Sequence, residues 1–600
     1  MNLLWSEEHS SQKPVRFGIL LLAAIGGVNL SAMSVSLTPS IDSPAPLGTT
    51  VTWTAAVDSP LPGTLVYAFR VRPLNQAFKT IVDYGPSATL NWTTIQHEGY
   101  YEMEVSVRNN STSEVVTTAA VFEFSSLVAN GAPSVSRADN PLVYIFSAPS
   151  CASGSRMRVT FQAKGGRPQY TPWHRCSGNY SMNFYLAGMR TNTQYFASAV
   201  TDSGTTIITG PTQVSYSTSG IPFDPPEATI LTPASDDAVN PVLLQSIIGG
   251  NTVATDLSGN VLWYAPSDVS FVTRPLTGGT FLAIGQDQTK DPSYQFFREF
   301  DLAGTTIAQT NAAQVNVQLA EMGLHPIDGF HHEVRKLSDG SYLVLASSER
   351  VLTDVQGPGA VDVIGDTILV LNSNLQVTWA WDSFDHLDTT REAILNETCS
   401  LPNPGCPSWY LAPLANDWLH GNALQLTPDG NILYSSRHQD MVYKIDYEDG
   451  MGTGAVLWRL GNGGDFQIVS SDPSPWFSHQ HDANFLADNT TLTLFDDGDT
   501  RIISDPNADS RGQVYSIDEQ NLVATLTTNA DVGSYSLAVG SAQGLPNGDF
   551  HFDSGYILDS AFNISAQSVE VTPDGTVVYA IRFAGLEYRT FRMYDLYTAP

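Results

Sequence analysis

The sequence predicts an all-β protein in which sandwich-like modules precede a long domain built from one repeated unit. Three observations carry that expectation. The chain of 600 residues contains 47 Gly and 35 Pro, with abundant Thr, Val, Ser and Tyr, a composition of strands and turns. Charged residues make up only 15%, too few for many salt-bridged surface helices. A turn-plus-strand unit recurs along more than half of the chain. At this length one core does not suffice, so two or three domains are expected.

Lys13 and Arg16 precede the apolar run Phe17 to Val28, and Leu30-Ser31-Ala32 reads as a small-residue cleavage site. Residues 1–32 are therefore expected to be a signal peptide, with a membrane anchor as the alternative. The run is short for a bilayer span. Periplasmic or secreted/extracellular localisation follows, with no stable membrane insertion unless the segment is retained.

Residues 33–128 alternate apolar and polar positions in short runs, such as Thr50-Val51-Thr52-Trp53-Thr54 and Tyr101-Glu102-Met103-Glu104-Val105-Ser106-Val107. Gly, Pro and Asn turns separate the runs, the pattern of an immunoglobulin-like β-sandwich. After a linker around Asn130-Gly131-Ala132-Pro133, residues 129–224 read as a second sandwich, similar to fibronectin III. Its runs include Met182-Asn183-Phe184-Tyr185-Leu186 and Gln213-Val214-Ser215-Tyr216-Ser217-Thr218.

Residues 225–600 repeat a turn followed by a strand. Instances are Gly278-Gly279-Thr280-Phe281-Leu282, Asp339-Gly340-Ser341-Tyr342-Leu343, Asp429-Gly430-Asn431-Ile432-Leu433 and Asp574-Gly575-Thr576-Val577-Val578. Such a repeat at blade-sized spacing predicts a β-propeller, and blades of roughly 45–60 residues would number six to eight. A parallel β-helix would repeat at shorter, more regular periods, and a jelly roll would not repeat so often.

The four cysteines suit an oxidising compartment. Cys399 and Cys406 bracket the turn-forming Ser-Leu-Pro-Asn-Pro-Gly and are expected to form a local disulfide, with Cys151 and Cys176 a second pair. No Cys pair has zinc-finger spacing, so no metal site is expected. With 60 acidic against 28 basic residues the formal charge is −32. That field repels a polyanion, and no nucleic-acid partner is expected.

Nine of the twelve histidines fall in the repeat domain. His331-His332-Glu333, His420-Gly421-Asn422 and His479-Gln480-His481-Asp482 each precede a repeat turn. In a propeller the innermost strands line one channel, so matching positions on different blades converge. Strand alternation would let only one of His331 and His332 face that channel, and the parallel between His332-Glu333 and His481-Asp482 favours His332.

These motifs, with Ser435-Ser436-Arg437-His438-Gln439 and Trp418-x-His420-x-Asn422, resemble the bacterial arylsulfate sulfotransferase family over about residues 140–600. The Cys399–Cys406 loop ahead of Asp417-Trp418 also looks like that family's short disulfide loop. The resemblance implies a six-bladed propeller, no cofactor, phenols and aryl sulfates as small-molecule partners, and the possibility of a homodimer. It implies a ping-pong reaction in which His481 is the nucleophile and becomes a sulfohistidine. His420 and Arg437 would contact the sulfuryl oxygens with Asn422 beside them, and His332 or His331 would exchange a proton with the phenolic oxygen. Arg suits a planar array of oxygens, and a neutral imidazole is a competent nucleophile. Gly421 stands where a larger residue is expected, which predicts an open wall in the pocket. His479 is the rival for the nucleophile.

Two other readings compete. A metal-dependent propeller hydrolase could use three converging histidines with Glu333 or Asp482, although Arg437 would repel a cation. A non-enzymatic adhesion or binding propeller would make the histidines structural.

Overall fold

The structure is a computed structural model describing residues 33–58, 62–401 and 405–600. The expected export segment, residues 1–32, lies outside the described residues. The chain is all-β: strands follow one another from Ser34 to Met593, and helices are short and few among the described residues.

From Val242 onward the strands form six antiparallel meanders. One end strand of each is labelled here in chain order: β1 Val269–Leu276, β2 Gly329–Lys336, β3 Gly421–Leu426, β4 His481–Phe485, β5 Gly540–Gly544 and β6 Leu586–Met593. Each of β1 to β5 starts a meander of four antiparallel strands, and extra strands extend the sheets of β1, β2, β4 and β5. The sixth sheet is made from both ends of the domain: β6 pairs with Val242–Ile248, so that Val242 lies opposite Met593. The label strands contact one another in succession from β1 to β6, and Val242–Ile248 packs against β1. Apolar clusters lie between neighbouring sheets, as where Leu433, Val442 and Leu460 meet Leu492, Leu494 and Tyr515.

The local chemistry of the repeat explains each meander. At Thr427-Pro428-Asp429-Gly430-Asn431, Gly430 takes φ +81°, and the Asn431 carbonyl accepts both the Thr427 amide and hydroxyl. The following strand, Ile432–Ser436, is buried throughout, as expected of a strand covered on both faces.

The label strands that carry the histidines share an irregularity the sequence did not reveal. Register shifts fall between Phe330 and Val334, between Gly421 and Ala423, and between His481 and Asn484. His332, His420 and Asp482 take φ of +55°, +49° and +51° beside them. Non-glycine residues enter that region rarely and at an energetic cost, and a bulge re-aims side chains at a strand end.

The two leading modules are sandwiches. In the first, Ser34–Pro39, Val51–Asp58 and Thr89–Trp92 face the sheet of Leu65–Pro73, Lys79–Gly85, Gly99–Asn109 and Val115–Ser125 across Trp53, Trp92, Phe122 and Phe124. In the second, Ser134–Arg137, Tyr144–Ala148 and Met182–Leu186 face strands around Arg156–Ala163 and Gln194–Asp202. The first module is docked on the repeat domain. Lys79–Gly85 pairs in parallel with Thr306–Asn311, joining two sheets into nine strands. Arg108 Nη2 donates to Gln314 Oε1 at 2.9 Å, and Asn311 Nδ2 to the Tyr84 carbonyl at 2.8 Å. Both expected disulfides are formed, Cys151–Cys176 and Cys399–Cys406, with Cα–Cα distances of 5.3 and 5.9 Å.

Candidate active site

His420 and His481 are buried and His332 is half-buried, near the starts of three sheets, and Arg437 lies close to His481. The His332 and His420 rings stand 5.0 Å apart, edge to face, and the His420 and His438 rings 4.7 Å apart. His481 lies within electrostatic reach of His420 and Arg437, whose charges oppose its protonation.

The rings of His420, His438 and His481 each face a buried acid or a carbonyl. His420 Nδ1 lies 2.7 Å from Asp417 Oδ2, which fixes the ring from three residues upstream. His438 Nδ1 lies 2.7 Å from the Asp417 carbonyl, and its Nε2 2.8 Å from Arg437 Nη1. His481 Nδ1 stands 2.9 Å from Asp497 Oδ2, leaving Nε2 as its other nitrogen. Arg437 Nη2 donates to Asp499 Oδ2 at 2.8 Å, and its Nε is 3.7 Å from Asp497. Tyr535 donates its hydroxyl to Asp499 at 2.9 Å.

Burial drives the electrostatics. It lowers His481 well below the ordinary histidine range, and Arg437, His420 and Arg589 lower it further. Burial likewise holds His332 far down, helped by His420, His331 and His481, and His438 behaves the same way. These rings are neutral near pH 7. His479 differs: burial pulls it down, but hydrogen bonds to Asp440 and Glu397 prevail and raise it to about 9. Its Nδ1 stands 2.9 Å from Asp440, and its Nε2 bonds Glu397. Burial pushes Asp499 up to about 6, with Asp497 adding to the rise.

Two sequence-based expectations need correction. The bulge after Phe330 breaks simple alternation, so His331 and His332 do not part to opposite faces. Their Nδ1 atoms lie 2.9 Å apart, while His331 Nε2 reaches to 3.0 Å from Asp366. Gly421 does not leave the wall open either. A Cβ there would lie 2.5 Å from the Tyr434 ring and 2.7 Å from Asp366 Oδ2, because those side chains fill the space. Asn422 is fully buried, and its Nδ2 donates to the Gln480 carbonyl at 2.7 Å, tying β3 to the residue before β4.

The carboxylates behind the histidines were not anticipated. Asp497 and Asp499 belong to the run Asp496-Asp497-Gly498-Asp499 just past a repeat strand, and an acidic run in that position was the available signal. Tyr588, whose hydroxyl donates to the His332 carbonyl at 2.5 Å, and Asp366 gave none. Asp417, His420 and His438 place three potential ligand atoms within 4.8 Å of one another. Two of those contacts are already an Asp–His bond and a His–Arg contact, and the adjoining guanidinium disfavours a cation there.

A family model described as Arylsulfotransferase (ASST) matches residues 227–589. Among curated proteins, no match was found. Similar solved structures include the chicken interferon gamma receptor alpha chain, 13% identical over 30% of this chain and 98% of that one, with a TM-score of 0.13. They also include the chicken CNTN1 FN1–FN3 domains, 12% identical over 29% of this chain and 65% of that one, also with a TM-score of 0.13. The family match spans every strand that carries the clustered histidines, and on it the chain belongs to the arylsulfotransferase family.

Proposed function

We propose that this sulfotransferase moves a sulfuryl group from a phenolic sulfate ester to an acceptor phenol by a ping-pong route through a sulfohistidine at His481. The observation that carries the reading is the contrast between two neighbouring histidines. Burial and nearby cations keep His481 neutral, with a free lone pair, whereas His479 is held protonated between two carboxylates. Only the neutral ring can attack.

In the first half-reaction His481 Nε2 forms a bond to sulfur, the S–O bond to the aryl group breaks, and its electron pair leaves on the phenolate oxygen. His420 and Arg437 hold the sulfuryl oxygens, and Asp499 and Asp497 hold Arg437 in place. Preorganised donors of this kind stabilise charge shifting in the transition state. In the second half-reaction the acceptor phenol passes its proton to neutral His332 and attacks sulfur, and the N–S electron pair returns to His481. The first phenolate leaves as the anion before the acceptor enters, and His332 later returns the acceptor's proton to solvent. His331 orients His332 from Asp366, and Asn422 positions the His481 strand. The six sheets are read as a six-bladed propeller closed by β6, residues 33–128 and 129–224 as docked sandwich modules, and the protein as exported.

The test is incubation with p-nitrophenyl sulfate, with and without phenol. Acceptor-dependent nitrophenol release is expected from the wild type, and release by His481→Ala at an undiminished rate would overturn the assignment of the nucleophile.

A further inference from the structure

Beneath the histidine cluster lies a second group of buried charges that the proposed reaction does not use. Arg274, Arg335 and Arg589 surround Glu333 and Asp482, three cations against two carboxylates. Arg274 binds both acids, and Arg589 binds Glu333 at 2.9 Å and the Asn422 carbonyl. Arg335 is the cation left over. Among the described residues its one side-chain hydrogen bond runs from Nη2 to Asn484, and its buried Nε makes no hydrogen bond but stands 3.6 Å from Glu333 Oε2 as a long ion pair. Burial first, and then the adjacent Arg274, pull the Arg335 pKa down to about 10, while Glu333 and Asp482 oppose them.

Arg274 and Arg335 line a cavity of 810 Å³ whose other walls include Phe485, Leu545, Phe550 and Phe591. Asp482 also lines it, already engaged by Arg274 and Asn484, as does the half-buried Asp549. Among the described residues the lining contains none of the clustered histidines. An isolated buried charge is costly unless it is paired, and a guanidinium at the end of an apolar cavity pairs best with an oxyanion.

We propose that this cavity is a second binding site, for an organic anion whose oxyanion head meets Arg335 and whose apolar body lies against the phenylalanine walls. The ligand supplies the missing negative charge and displaces water from the apolar wall. The site is independent of sulfuryl transfer, which proceeds at the histidines.

Calorimetric titration of the full chain with benzenesulfonate, and in parallel with inorganic sulfate, tests the proposal. Benzenesulfonate is expected to bind saturably and more tightly than sulfate, because sulfate lacks the apolar body. Arg335→Gln is expected to weaken binding roughly tenfold or more, while Arg335→Lys retains most of it. His420→Ala should leave it unchanged, and initial rates of nitrophenol release should persist in Arg335→Gln. Absence of saturable binding to the wild type overturns the proposal even if Arg335→Gln fails to fold. So does binding that survives Arg335→Gln but vanishes in His420→Ala, which would place the ligand at the histidine cluster.

Discussion

At the residue scale, the two histidines flanking Gln480, two positions apart, carry opposite electrostatics, and pH distinguishes them. With His481 as nucleophile, kcat/KM for p-nitrophenyl sulfate is expected to be flat from about pH 6.5 upward, since its pKa lies below the ordinary histidine value. A rate that climbs about tenfold per pH unit until about pH 9 would identify His479 instead. His479 has its own role in stability. Its folded pKa is raised, so its ion pairs stabilise fully below the unfolded value of about 6.5 and are lost as pH rises through about 9. The melting temperature of His479→Gln should therefore fall well below that of the wild type at pH 6, and the gap should close by pH 10. The histidines were legible by their place in the repeat, whereas the carboxylates beside them were not. Asp497 reaches His481 across the hairpin in which His481 pairs with Phe495, and Asp366 reaches His331 from the third strand of the same sheet.

At the element scale, the repeat turns were legible because Asp-Gly and Asn-Gly dictate local backbone on their own. The bulges opening β2, β3 and β4 were not, because positive φ at His332, His420 and Asp482 is imposed by neighbouring strands against intrinsic preference. Gly421 illustrates the difference: its neighbours Tyr434 and Asp366 explain why no larger residue fits. Gly421→Ala is expected to cost about 1–3 kcal/mol of stability, as overpacking does, and to lower turnover by displacing Asp366 from His331. Unchanged melting and kinetics would show that the wall can yield. A second element-scale prediction concerns Asp553 and Glu587, fully buried carboxyls both held well above their usual range, burial being the main cause. A carboxyl raised in the folded state stabilises in its neutral form, fully below about pH 4 and progressively less above it. Glu587→Gln, which cannot ionise, should raise the melting temperature at pH 8, and the gain should disappear at pH 4.

At the scale of the whole molecule, composition and repeat spacing were enough to read an all-β chain. They could not show that the first module is fused to the repeat domain edge to edge, because one strand pairing and a few polar contacts hold it there. Arg108→Ala removes one such contact and is expected to speed proteolytic cleavage in the 126–133 segment, with nitrophenol release unchanged. Loss of activity in that variant would mean that docking of the module shapes the histidine cluster. The disulfide Cys399–Cys406 sits close to Glu397, the partner of His479, so the covalent loop and the site share one strand region.

The central claim is that His481 carries the sulfuryl group between half-reactions. Rapid quenching after p-nitrophenyl sulfate is added without acceptor, followed by proteolysis at mildly alkaline pH and mass spectrometry, measures it directly. The account predicts one added SO3 group on the peptide containing His481, fragmenting to that residue and disappearing when phenol is supplied before the quench. A modification localised to His479 or His420, or acceptor-dependent turnover with no modified peptide at all, would contradict it.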